Sequence, residues 1–136
     1  MSSDPLLSRT ISNYQIVDRL GKGGMATVYR ARQVNMQRDV AIKIMSADLA
    51  QDPQFVARFE REAQVIAHLE HPRILPVHDF GHEGELFYLV MRLIEGDTLY
   101  QRLLDGALPV ETAARFVAQV AEALDYAHEQ GVIHRD

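Results

Sequence analysis

Two stretches of this chain hold residue types able to handle phosphate and charge. Gly21-Lys22-Gly23-Gly24-Met25-Ala26-Thr27-Val28 puts three glycines into a short turn. Glycine lets a backbone bend and approach phosphate oxygens closely, so that N–H groups rather than side chains meet the charge. The same run read alone also makes a flexible hairpin turn. It is not a lysine-terminated phosphate loop, because none of its glycines is followed directly by Lys-Ser or Lys-Thr. Downstream stand a cation, in Val40-Ala41-Ile42-Lys43, and a carboxylate, in Phe59-Glu60-Arg61-Glu62-Ala63.

These groups must be positioned by regular elements. Tyr14 to Leu20 runs into the glycines, and Thr27 to Ala31 resumes with β-branched and aromatic residues, which predicts strand, turn, strand. Asp39 to Met45 alternates as a third strand of an antiparallel meander. Asp52-Pro53 offers an N-cap with proline at the first helical position. The helix that follows carries Phe55, Phe59, Ile66 and Leu69 at helical spacing and stops at His71-Pro72, since a residue before proline avoids the α region. Ile74 to Phe80 and Leu86 to Met91 read as two more strands about a Gly81-to-Glu85 turn. Glu95-Gly96-Asp97 then marks a boundary. Beyond it lie a short helix, Thr98 to Leu104, and a long one, Glu111 to Gln130, with Ala113, Val117, Val120, Leu124 and Ala127 on one face and Gly131 at its C′ position. Residues 1–13 lack a sustained period and read as a flexible lead-in.

Period-two alternation puts Ala41 and Lys43 on one face of the third strand and Val40, Ile42 and Ile44 on the other. Lys43 taken alone also fits a solvent-facing strand lysine. Glu62 falls between Phe59 and Ile66 on the apolar stripe, where a carboxylate is costly to desolvate without a cation or donors. Lys43 is the natural partner, with a half-buried carboxylate reaching to water as the other reading.

A net charge of −5 gives no basic footprint for nucleic acid. The absence of cysteine excludes disulfides and thiolate metal sites. The longest apolar run, Leu86 to Met91, is far short of a bilayer span, and Met1 to Pro5 is unlike a signal peptide, which leaves the cytoplasm as the expected compartment. His68 with His71 and His78 with His82 have spacings that could bring two rings together, but no third ligand accompanies either pair, so no metal site is expected.

The glycine turn, Val40-Ala41-Ile42-Lys43, Phe59 to Ala63, His71-Pro72, Val90-Met91, Glu95-Gly96 and His134-Arg135-Asp136 occur in the order and spacing that resemble eukaryotic-like bacterial serine/threonine protein kinases. The resemblance runs from about Tyr14 to the end and departs at Ala26, which replaces the third glycine of the loop. It implies an α+β fold: an N-lobe over 14–94, a five-stranded antiparallel sheet plus one helix, then the first helices of an incomplete helical C-lobe over 95–136. It implies ATP as cofactor, with Gly21, Gly23 and Gly24 over the phosphates and Val28 and Ala41 against the adenine. Leu20 closes the pocket from above, and Lys43 meets the α- and β-phosphates, paired with Glu62. Met91 is the implied gatekeeper, and the backbones of Arg92 and Ile94 the adenine's hydrogen-bonding partners. Ile66, Val77 and His134 resemble members of the regulatory spine, Asp136 the catalytic base, and Arg135 suggests switching by activation-loop phosphorylation.

Magnesium is implied as well, but its aspartate and asparagine ligands lie downstream of Asp136 in the family. The 136 residues alone are therefore expected to be inactive. Implied partners are ATP and, for the parent enzyme, a protein substrate, with an N-lobe homodimer possible. The competing expectation is a non-catalytic nucleotide-binding or dimerisation module derived from a kinase.

Overall fold

The computed structural model describes residues 4–134. In chain order these form β1 (Thr10–Ile11), β2 (Tyr14–Lys22), β3 (Ala26–Gln33), β4 (Arg38–Met45), α1 (Ala47–Ala50), α2 (Pro53–Ala67), β5 (Val77–Glu83), β6 (Leu86–Arg92), α3 (Leu99–Leu103) and α4 (Val110–Glu129). They divide into two compact units. One runs to His68 and takes up Pro76–Leu93, and the other comprises Leu69–Leu75 and the chain from Ile94 onward.

The first unit is an antiparallel sheet in the order β1-β2-β3-β4-β6-β5, with α1 and α2 beside it. Val40, Ile42 and Ile44 of β4 are buried with Ile16, Tyr29, Ala31 and Val90 in the core. Ile42 and Val90 are fully buried at the centre, where each such side chain contributes about 1.5–3 kcal/mol. The alternate residue Lys43, on the other face of β4, is half-buried.

The sheet has six strands rather than five, because part of the expected flexible lead-in belongs to it. Ile11 is fully buried and pairs with Tyr14. Ser8 N–H donates to Ile16 O and Ile16 N–H to Arg9 O, both at 2.9 Å. The Tyr29 hydroxyl donates to Asp4 Oδ2 at 2.6 Å, and Leu6 packs on the core. A two-residue strand is too short to leave a period in sequence, and its turn uses Ser12 at φ 53°, a left-handed conformation that a serine does not announce.

Helix α2 starts as its caps dictate, with Asp52 Oδ1 accepting the Gln54 N–H at 2.9 Å and Pro53 in the first turn. It ends at Ala67, short of the expected His71-Pro72 stop. The reason is tertiary, for Leu69–Leu75 packs in the second unit. There His71 lies 5.2 Å ring to ring from Tyr126, the Tyr126 hydroxyl accepts the Glu70 N–H at 2.9 Å, and His71 Nε2 faces Glu122 Oε1 at 3.7 Å. The same excursion delays β5 from Ile74 to Val77.

In the second unit α3 opens with a Thr98–Gln101 capping box, and α4 closes on Gly131 at φ 82°. The inward side of α4 differs from the expected stripe. Ala127 is buried and Ala113, Phe116 and Leu124 are half-buried, whereas Val117 and Val120 are exposed.

Candidate functional site

The strand register of the first unit lines up the residues singled out by sequence. Directly opposed residues of antiparallel strands point to one face. One row across the sheet is Gly21, Val28, Lys43, Leu89 and Phe80. The next is Arg30, Ala41, Met91 and Val77. The face therefore presents a glycine backbone, a valine, an alanine and a methionine around the half-buried Lys43. Ala41 is 8% exposed, and its methyl group is the smallest side chain of its row.

Leu20 is the extra residue of a register shift between Arg19 and Gly21, and it is exposed. Such a bulge bends a strand and increases its twist, which sets the direction in which β2 enters the glycine turn. Within that turn Gly23 N–H donates to Ala26 O at 2.9 Å. The Met25 carbonyl accepts the Ser46 N–H at 2.9 Å, so the returning arm is anchored to the end of β4. A Cβ at Gly21 or Gly24 would meet no protein atom within 4 Å. Packing does not require glycine there, and the missing side chains leave the backbone open to a ligand.

Helix α2 docks on β6 through aromatic rings. Phe59 meets Phe87 edge-on at 5.4 Å, and Phe55 meets it at 6.4 Å. The buried stripe is Phe59 and Ala63 flanked by half-buried Phe55 and Ile66, and Glu62 is exposed. At 100° per residue Glu62 lies about 55° from the axis of that stripe, at its rim beside Phe55. Ion pairs include Arg30–Asp39, Arg32–Asp39 and His71–Glu122, and Lys43–Glu62 is not among them.

Arg92 ends β6, and Ile94 begins the part of the chain that belongs to the second unit. His134 is exposed there, and Asp136 lies outside the described residues. Two members of the face had not been singled out. Leu89 stands beside Lys43 in the register. Arg30 shares the row of Ala41, with its Nε buried and lacking a partner and its guanidinium 3.8 Å from Asp39. Both were legible from the period-two alternation that set Ala41 and Lys43 on one face, applied to the neighbouring strands.

A protein kinase domain model matches residues 14–136. The chain belongs to the protein kinase family. It is 44% identical to the serine/threonine-protein kinase PknB of Mycobacterium leprae over 100% of its own length and 22% of that protein's. It is 41% identical to PrkC of Bacillus subtilis over 96% of its length and 20% of that protein's. Among solved structures, the Mycobacterium tuberculosis PknI kinase domain superposes with a TM-score of 0.87 at 36% identity, covering 100% of this chain and 56% of that one. The chain thus spans about a fifth of the length of these curated relatives. The kinase match begins at Tyr14, the first residue of β2, so Asp4–Ile11 contributes to the sheet from outside it.

Proposed function

We propose that this chain is the ATP-binding part of a serine/threonine protein kinase, whose parent enzyme transfers the γ-phosphoryl group of ATP to a protein hydroxyl. One observation carries the reading: the register sets Gly21, Val28, Lys43, Ala41 and Met91 on a single face. On it Val28, Ala41 and Met91 form an apolar seat for adenine that excludes water. The backbone of Arg92, at the end of β6, supplies a hydrogen bond to it, and Leu20 covers it. The N–H groups of Gly21 and Gly24 approach phosphate oxygens, and the Lys43 ammonium acts as a compact charge on them. Glu62 becomes the partner of Lys43 when α2 turns its rim inward, the kind of helix shift by which kinases switch.

Magnesium, when bound, neutralises charge between the β- and γ-phosphates. The described residues do not fit it, since no three His, Asp or Glu side chains gather among them. Asp136 is assigned as the base by its motif alone, and no step of transfer is derived for the isolated chain.

Calorimetry with ATP tests the reading. Weak binding, micromolar or poorer, is expected, and Lys43→Ala should reduce it; binding indifferent to Lys43→Ala would refute the assignment. With radiolabelled ATP and a generic protein substrate, no transfer is expected from the 136-residue chain. Transfer abolished by Asp136→Asn would overturn that expectation.

No helix among the described residues is long and apolar enough to cross a membrane. We propose a cytoplasmic location on the ATP requirement. Val34 and Met36, 54% and 59% exposed between β3 and β4, favour a homodimer through this unit as the second reading. Sedimentation of a Val34→Asp, Met36→Asp double variant would show it as loss of a dimer.

A further inference from the structure

Strand β5 pairs with β6 at Val77↔Met91 and next at Asp79↔Val90, so His78 is the extra residue of a bulge. From Asp79 onward the alternation is regular, with Asp79 opposite the core residue Val90 and Phe80 opposite Leu89. Continued without the bulge, that alternation would set His78 opposite Met91 and Val77 opposite Arg92. The bulge therefore places an isopropyl group, in place of an imidazole, in the row of Ala41 and Met91. His78 is left exposed.

Asp79 is held on two sides. Its Oδ1 accepts the Phe80 N–H at 2.9 Å and its Oδ2 accepts the Tyr14 hydroxyl at 2.8 Å. Tyr14 is 3% exposed, and its ring lies edge-on to Tyr88 at 6.2 Å. It stands on β2, which β3, β4 and β6 separate from β5 in the sheet. The bond therefore joins strands that meet only because the sheet curls back on itself.

We propose that Tyr14 and Asp79 are positioning residues for the nucleotide site: their hydrogen bond pins the bulge, and the pinned bulge keeps Val77 rather than His78 beside Met91. This rests on reading that face as the adenine seat. Its consequence for specificity is an apolar back wall for a flat heteroaromatic base. A slipped register would put a titratable ring there.

The chain contains no cysteine, so single cysteines report cleanly. Val77→Cys and His78→Cys are made in the full chain, each also with Tyr14→Phe and with Asp79→Ala, and alkylation rates are measured with iodoacetamide. With the pin intact, the cysteine at 78 should react about tenfold faster than the one at 77, as expected for an exposed against a half-buried site. Without it the two rates should converge or exchange order, 77 rising as 78 falls. An unchanged ratio, or both rates rising together as in general loosening, would overturn the proposal. Tyr14→Phe removes one hydroxyl and keeps the ring, so it decides the matter if Asp79→Ala does not fold. Labelling is read without nucleotide and so does not depend on the ATP reading. Failure of ATP to slow alkylation at 77 would count against the adenine seat while leaving the pin intact.

Discussion

Replacing Phe59 by alanine should undock α2. The ring is 9% exposed and lies 6.0 Å from Phe55 and 5.4 Å from Phe87, so it is the centre of the aromatic contact that seats the helix. Phe→Ala in a core costs about 3–5 kcal/mol, and an edge-to-face pair adds about 0.5–1.5 kcal/mol beyond its area. Phe59 also borders a groove lined by Gln64, Phe80 and His82, into which neighbours can relax. The lower end, about 3 kcal/mol, is therefore expected. For a unit of this size that lowers the Tm by roughly 12–24 °C. Val65→Ala on the same helix is the control, because Val65 is 41% exposed and alanine is the better helix former. Its effect should stay within about 0.5 kcal/mol. Thermal unfolding followed by circular dichroism, with hydrogen exchange of the α2 amides, reads both variants. If Phe59→Ala shifts the Tm no more than Val65→Ala does, the aromatic contact does not seat the helix and the reasoning fails.

Four further outcomes follow from the same structure. The Tyr29 hydroxyl bond, then the Leu6 N–H, hold the Asp4 carboxyl below its ordinary pKa, so the tie of residues 4–11 to the sheet is complete at neutral pH and is lost as pH falls through that depressed value. Conversely Tyr29, raised to about 12 by burial and then by Asp4, should titrate closer to 10 in Asp4→Asn, as followed by ultraviolet absorbance. Gly81→Ala should destabilise by about 1–3 kcal/mol in urea unfolding, because its Cβ would sit 3.0 Å from the Tyr88 hydroxyl; stability equal to the parent would mean the ring gives way freely. His78 should titrate below its ordinary value in NMR, held down first by partial desolvation of its ring and then by Arg38 and Arg92. Arg92→Ala should restore only part of that shift.

Much of this molecule is legible from local chemistry. Alternation along Val40 to Ile44 separates the core face from the Lys43 face, and the structure keeps that division. Asp52-Pro53 starts α2, and Gly131 ends α4, because a cap and a left-handed glycine act within one turn. Ala41 and Lys43 could be set on one face on paper because period two needs no knowledge of distant residues.

What depended on contacts between distant segments was not legible. The two-residue strand Thr10–Ile11 exists because Ile11 finds the core and Asp4 finds Tyr29, neither of which leaves a period. Helix α2 stops at Ala67 because His71 and Glu70 are held by Tyr126, more than fifty positions along the chain. Glu62 shares its spacing with buried neighbours yet lies at the rim, since a stripe read from sequence fixes the apolar side only to within tens of degrees and the packing of Phe59 on Phe87 sets the rest. The bulge at His78 is the sharpest case. One residue inserted into a ladder changes which side chain faces the site, and only the closing of β5 toward Tyr14 of β2 decides it, because register is a property of paired strands and not of either one alone.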